Sequence, residues 1–146
     1  MSDSLELTCV LVKRIDMALH VQQLCAENKI SVTYQSLKEK TPQYYANPLK
    51  NHVHIRPTKN TGYYVSALHE LGHLLGKNQA SSILKRELYA WIWARDKALV
   101  WTETAEKIMQ RAMDSYGWGI KEKRLWHQHI WKNKQGGKNE QGGKNE

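Results

Sequence analysis

Two histidines four residues apart, with a glutamate directly after the first, stand in the stretch Ser66-Ala67-Leu68-His69-Glu70-Leu71-Gly72-His73-Leu74-Leu75-Gly76. On a helix, residues at this spacing share one face, a turn apart. His69 and His73 can therefore present two imidazoles to one tetrahedral metal ion, at about 2.0–2.1 Å each for zinc. Glu70 then lies beside the ion rather than on it. That position suits a carboxylate that takes a proton from water, because zinc lowers the pKa of its water to about 7. Leu68, Leu71, Leu74 and Leu75 predict that this helix is buried, and Gly76 followed by Lys77 predicts where it ends. Gly72 costs about 1 kcal/mol in a helix interior, so its presence predicts close approach of a neighbouring backbone or of a substrate. The competing reading is a buried helix whose two histidines are satisfied by hydrogen bonds.

Two histidines need a third protein ligand. The segment after Ser81 or Ser82, either of which can cap a helix, supplies a candidate. Ile83, Leu84, Ala90, Trp91, Ala94, Ala98 and Trp101 recur at helical spacing as an apolar stripe, and Glu87 falls in its middle. A carboxylate there must be paired or coordinate a metal, since a lone buried charge costs several kcal/mol. The alternative is a salt bridge from Glu87 to Arg86, Lys85 or another base. Asp96, Glu103, Glu106, His127 and His129 are rival ligands, but none sits so clearly inside an apolar face.

The run Asn51-His52-Val53-His54-Ile55-Arg56-Pro57, a short loop, and then Tyr63-Tyr64-Val65 leading into His69-Glu70-Leu71-Gly72-His73 resembles the core of the ImmA/IrrE family of metallo-endopeptidases. That core is a strand, a loop and a helix carrying His-Glu-Leu-Gly-His. The likeness covers about the middle third of the chain. It implies a zincin-like α+β fold, bound Zn2+ and a small cytoplasmic protein of the kind carried by phages and mobile elements. Its substrate would be a protein, such as a DNA-binding regulator or a host defence protein. The family places its third ligand, a glutamate, on the following helix, and Glu87 matches it in kind. Around that residue this chain reads Glu-Leu-Tyr-Ala-Trp-Ile-Trp-Ala, where the family has Glu-x-Glu-Ala-Asn-x-Phe-Ala, and its gap to the glutamate is shorter.

The elements that must position these groups can be read in order. Ser4 to Asn28 predicts one long helix, with Leu7, Val10, Leu11, Ala18, Val21 and Cys25 on its apolar face and His20 toward solvent. Ile30, Val32 and Tyr34 alternate with polar residues and predict a half-buried strand. From Ser36 to Lys50, Pro42 and Pro48 interrupt regular structure, and the tyrosines between them predict a loop or short strand near a cleft or packed on a sheet. Asn51 to Pro57 predicts a second strand with Val53 and Ile55 inward and His52, His54 and Arg56 outward. An exposed edge on that strand could pair with an extended peptide. His54, Tyr63 and Tyr64 are candidate substrate-binding residues, a tyrosine hydroxyl near the metal being able to stabilise an oxyanion. Thr102 or Thr104 caps a further helix with an apolar face from Ala105 to Tyr116, ended by Gly117. Residues 118 to 132 predict a last short helix.

Length and composition bound the rest. The chain has 146 residues, six tryptophans, seven tyrosines and no phenylalanine, enough large apolar area for one domain. That domain is expected over residues 1–133. Residues 134–146 repeat Gln-Gly-Gly-Lys-Asn-Glu and are expected to be a disordered tail. On one helix, Cys9 and Cys25 would be about 24 Å apart, too far for a disulfide, which fits a reducing cytoplasm. No secretory pattern and no membrane-length apolar run is present in the sequence. The formal net charge of +8 favours acidic partners, including non-specific contact with nucleic acid, although no base-reading motif is present. The expected activity is hydrolysis of peptide bonds, with His69, His73 and Glu87 holding zinc and Glu70 as base. The alternative is a zinc-stabilised binding protein without catalysis, which captures a host or regulatory protein, or nucleic acid, through its basic surface.

Overall fold

The chain folds as α+β, and the computed structural model describes residues 13–129. Four helices and three strands have defined bounds: α1 (Arg14–Glu27), β1 (Ser31–Tyr34), β2 (Tyr45–Asn47), β3 (His52–Ile55), α2 (Thr61–Leu75), α3 (Ile83–Lys97) and α4 (Glu103–Ser115). Residues 120–129 form a further helix, α5. Cys9 and residues 134–146 lie outside the described residues.

The expected single helix from Ser4 does not run through Lys13. That residue is extended, and α1 starts after it with Lys13 N donating to Asp16 Oδ2 at 2.9 Å. Met17, Val21 and Cys25, one turn apart in succession, carry its buried face, while Ile15 and Leu19 are exposed. His20 is not simply solvated: its Nδ1 lies 2.6 Å from the Tyr64 hydroxyl, and burial lowers its pKa. After α1 the chain reverses at Lys29, whose φ is +54°. Asn51 Nδ2 donates to the carbonyls of Asn28 and Lys29 at 3.1 and 2.9 Å.

The sheet order is β1-β3-β2, with β1 parallel and β2 antiparallel to β3. Val53 and Ile55 are buried as their alternation predicts. The expected peptide-pairing edge on this strand is absent, because β3 is central and bonded on both sides. The edge strands are β1 and, in the Pro-bounded stretch, β2. Arg56 also departs from its expected outward position: it is buried. Its Nε donates to Gln35 Oε1 at 2.9 Å and its other nitrogens to Tyr63 Oη and Glu39 O. Gln35 in turn bonds Thr41 O and Gln43 N. Arg56 and Gln35 together pin the irregular 36–43 segment and so fix where β2 lies.

Helix α2 is the centre of the molecule. Tyr64, Val65, Ala67, Leu68 and Leu71 are fully buried, and α2 packs against α1, β2, β3, α3 and α4. Asn60 caps it by accepting from Tyr63 N at 2.9 Å. Ser82 caps α3, and Thr102 caps α4. The far side is closed by indoles. Trp101 and Trp126 donate to the two oxygens of Glu106, each at 2.8 Å, which ties α4 and α5 to the α3–α4 connection. Among the described residues no helix is long and apolar enough to cross a membrane.

Candidate metal centre

The site begins with a missing side chain. A Cβ built on Gly72 would lie 2.4 Å from Ala90 O and 2.9 Å from Ala90 Cα. Only glycine lets α2 and α3 approach this closely. His69 and His73 flank Gly72 on α2, and Glu87 precedes Ala90 by three residues on α3. The crossing therefore sets all three side chains at one level.

The donors meet there. His69 Nε2 lies 3.0 Å from Glu87 Oε1, and His73 Nε2 lies 2.9 Å from Glu87 Oε2. The two Nε2 atoms are 3.2 Å apart. Two imidazole nitrogens and a carboxylate oxygen, all within 4.8 Å of one another, can hold a metal ion.

The protons around the cluster support this fit. Gln79 Nε2 donates to Lys77 O at 2.9 Å and to Arg86 O at 3.1 Å, so its Oε1 is the atom that faces His73 Nδ1 at 2.9 Å. Nδ1 must then carry the proton. In neutral His73 this leaves the Nε2 lone pair aimed at a carboxylate and at a second imidazole. That arrangement is repulsive unless a proton or a cation sits between them. A metal-ligating histidine usually has this kind of acceptor on its other nitrogen.

The electrostatics follow the geometry. Burial opposes ionisation of Glu87, but its bonds to His69 and His73 outweigh it and bring the carboxyl down to about 2. Burial lowers His69. In His73 burial is outweighed by the bonds to Glu87 and Gln79, and its pKa rises. Glu70 is buried without such bonds, and that burial pushes its carboxyl up to about 7, with the His73 charge acting the other way. The His69 ring stacks on Trp91 at 4.1 Å between centroids, tilted by 21°. Its Nδ1 is buried and unpaired.

These groups open onto a cleft of about 700 Å³. Its lining includes Tyr44, Tyr45 and Ala46 from the β2 side, Arg86 from α3 and Tyr116 at the end of α4. The Tyr44 hydroxyl is buried, and burial raises it to about 12.

Other sequence candidates lie elsewhere. Tyr64 is fully buried, and its hydroxyl accepts from Leu99 N at 2.9 Å and meets His20, away from the cleft. Tyr63 accepts from Arg56. His54 stacks on Tyr45 at 4.8 Å and reaches the cleft only through it. Asp96 pairs with His129 at 2.8 Å, Glu103 with Lys107 at 3.3 Å, and Glu106 with two indoles. His127 is exposed. Of the bases weighed as salt-bridge partners of Glu87, Arg86 and Lys85 do not pair with it among the described residues; the bases that do are His69 and His73 themselves.

Tyr44 and Tyr45 line the cleft, as one of the two readings of that stretch expected, whereas Gln79, Arg86 and Tyr116 were not singled out as site residues by sequence. Tyr116 reads there as the last apolar position of α4, and Gln79 as part of a turn. Their one signal is proximity to the motif along the chain, and Tyr116 lacks even that. No protein-family model, curated protein or solved structure matches the chain.

Proposed function

We propose that this chain is a zinc-dependent metallo-endopeptidase of the zincin type, acting on a protein substrate. The observation that carries this reading is the convergence of His69, His73 and Glu87 on one point in the wall of an open cleft, with Glu70 beside them. Zinc bound there would supply Lewis acidity, activating water and polarising a peptide carbonyl.

The protein's own groups supply the rest. Glu70 is buried yet lines the cleft. A cation held by its neighbours favours the ionised carboxylate, the form a base needs. A Glu70 carboxylate oxygen takes the proton of the attacking water and passes it to the leaving amine nitrogen. Gln79 holds His73 in the tautomer that keeps Nε2 free for the metal. Strand β2 has no second strand partner among the described residues, and Tyr45 and Ala46 on it line the cleft. An extended peptide can pair with that edge and lie across the three donors. An open cleft with a strand edge along it suits a chain passing through.

The resemblance of residues 51–76 to ImmA/IrrE proteins favours a regulator or a host defence protein as substrate, in the cytoplasm. The test compares zinc-loaded wild type with Glu70→Gln on a random peptide library. Cleavage should fall by about 10²–10⁴-fold while zinc content is unchanged. Equal cleavage by the two proteins would overturn the mechanism. Absence of cleavage by wild type, with peptides still retained, would favour the capture protein instead.

A further inference from the structure

Arg86 is the only lysine or arginine among the described residues that line the cleft. It is half-buried. Its main-chain carbonyl accepts from Gln79, but its guanidinium has no hydrogen bond or ion pair with any described residue. The adjacent carboxylate, Glu87, is taken up by the two histidines at 3.0 and 2.9 Å. Tyr116 lines the same cleft; burial and the charges of Glu87 and Glu70 raise its hydroxyl, and the Arg86 charge acts the other way.

A guanidinium offers five N–H donors in a planar fork that matches a carboxylate. Half-buried in the cleft lining and unpaired with any described residue, it keeps its donors available to an anionic ligand. The charge of a divalent ion at the three ligands would be offset by Glu70 and Glu87. The guanidinium would then be the uncompensated charge of the cleft.

We propose that Arg86, with Tyr116 on the lining of the same cleft, forms a carboxylate-binding subsite, so that the cleft selects peptides bearing an acidic group close to the residues over the metal ligands. This rests on the reading of the cleft as a peptide groove. The carboxylate has two possible sources, an Asp or Glu side chain or the peptide's own C-terminus.

The experiment uses immobilised, zinc-loaded Glu70→Gln protein, which keeps bound peptides intact. Three random hexapeptide libraries are passed over it: one with free C-termini, one amidated, and one amidated without Asp and Glu. Retention that follows Asp or Glu in the amidated library assigns the subsite to a side chain. Retention confined to the free-acid library assigns it to the C-terminus. In either case Arg86→Gln in the same background should weaken retention by about tenfold, the effect of one charge-assisted bond, with zinc content unchanged. Tyr116→Phe should weaken it less.

Equal retention of all three libraries, or no retention, would overturn the subsite. So would Arg86→Gln protein that binds like its parent. Should Arg86→Gln fail to fold, salt decides: added salt must weaken retention of acidic peptides and leave neutral ones unchanged. Cleavage of the same libraries by wild type separates the two proposals. Cleavage without acidic preference removes the subsite alone. Acidic retention without cleavage removes the hydrolytic reading and leaves the subsite.

Discussion

Gln79 and His73 are bound as an oriented pair: Oε1 of the amide faces Nδ1 of the imidazole at 2.9 Å, while the amide nitrogen is held by two main-chain carbonyls. The orientation sets the histidine's proton on Nδ1 and points its other nitrogen at Glu87. Removing that acceptor should cost about 10–100-fold in metal affinity. Gln79→Ala should show this in competition with a zinc chelator, and Gln79→Glu, which keeps an acceptor, should recover part of it. Unchanged affinity in Gln79→Ala would mean that the tautomer is set by something else.

Glu87 is the only carboxylate among the described residues that reaches both histidines. Wild type should carry about one zinc per chain when loaded, as a three-ligand site does. Glu87→Ala should lose most of it, measured by elemental mass spectrometry. Full zinc content in the variant would require another ligand, although Asp96, Glu103 and Glu106 are already engaged elsewhere.

Gly72→Ala places a methyl group 2.4 Å from a main-chain oxygen of α3. Neither helix backbone can yield cheaply, because both are packed on their other faces. Thermal unfolding should report a loss of about 1–3 kcal/mol or more, together with weaker zinc binding, since the same crossing aligns the donors. A variant as stable as wild type would mean that the helices can separate without loss.

Trp91 lies against the His69 ring at 4.1 Å. A cation on that imidazole changes the charge next to the indole, so zinc titration should change tryptophan emission. Trp91→Phe should abolish most of the change while zinc is still bound. If the signal persists in Trp91→Phe, the reporter is one of the other five tryptophans.

The alkaline limit of stability should involve Cys25. Burial raises its thiol from 9.0 to about 11. A raised folded pKa means that the stabilisation is fully present below pH 9 and is lost as pH rises toward 11. Burial also raises Tyr44 and Tyr64 to about 12, adding the same sign above pH 10. Urea midpoints should therefore be flat up to about pH 9 and fall beyond it, with a shallower fall in Cys25→Ser. An unchanged slope in that variant would assign the loss to the tyrosines.

The residues of the cluster were legible because each signal lies within one element. The four-residue spacing of His69 and His73, the apolar stripe around Glu87, the small residue at Gly72 and the alternation of Val53 and Ile55 all follow from the periods of helix and strand. Those periods repeat along the chain and need no knowledge of neighbours. They could not show that β3 is central and β2 an edge, because strand order depends on how loops close. Nor could they show that Arg56 turns inward to hold the 36–43 segment. Tyr63 and Tyr64 lie in the first turn of α2 yet bond elsewhere and do not line the cleft, while Tyr116 comes to it from the far end of α4. Such meetings between distant segments are set by packing, through contacts like Gly72 on Ala90, and exist only once the whole chain has closed around α2.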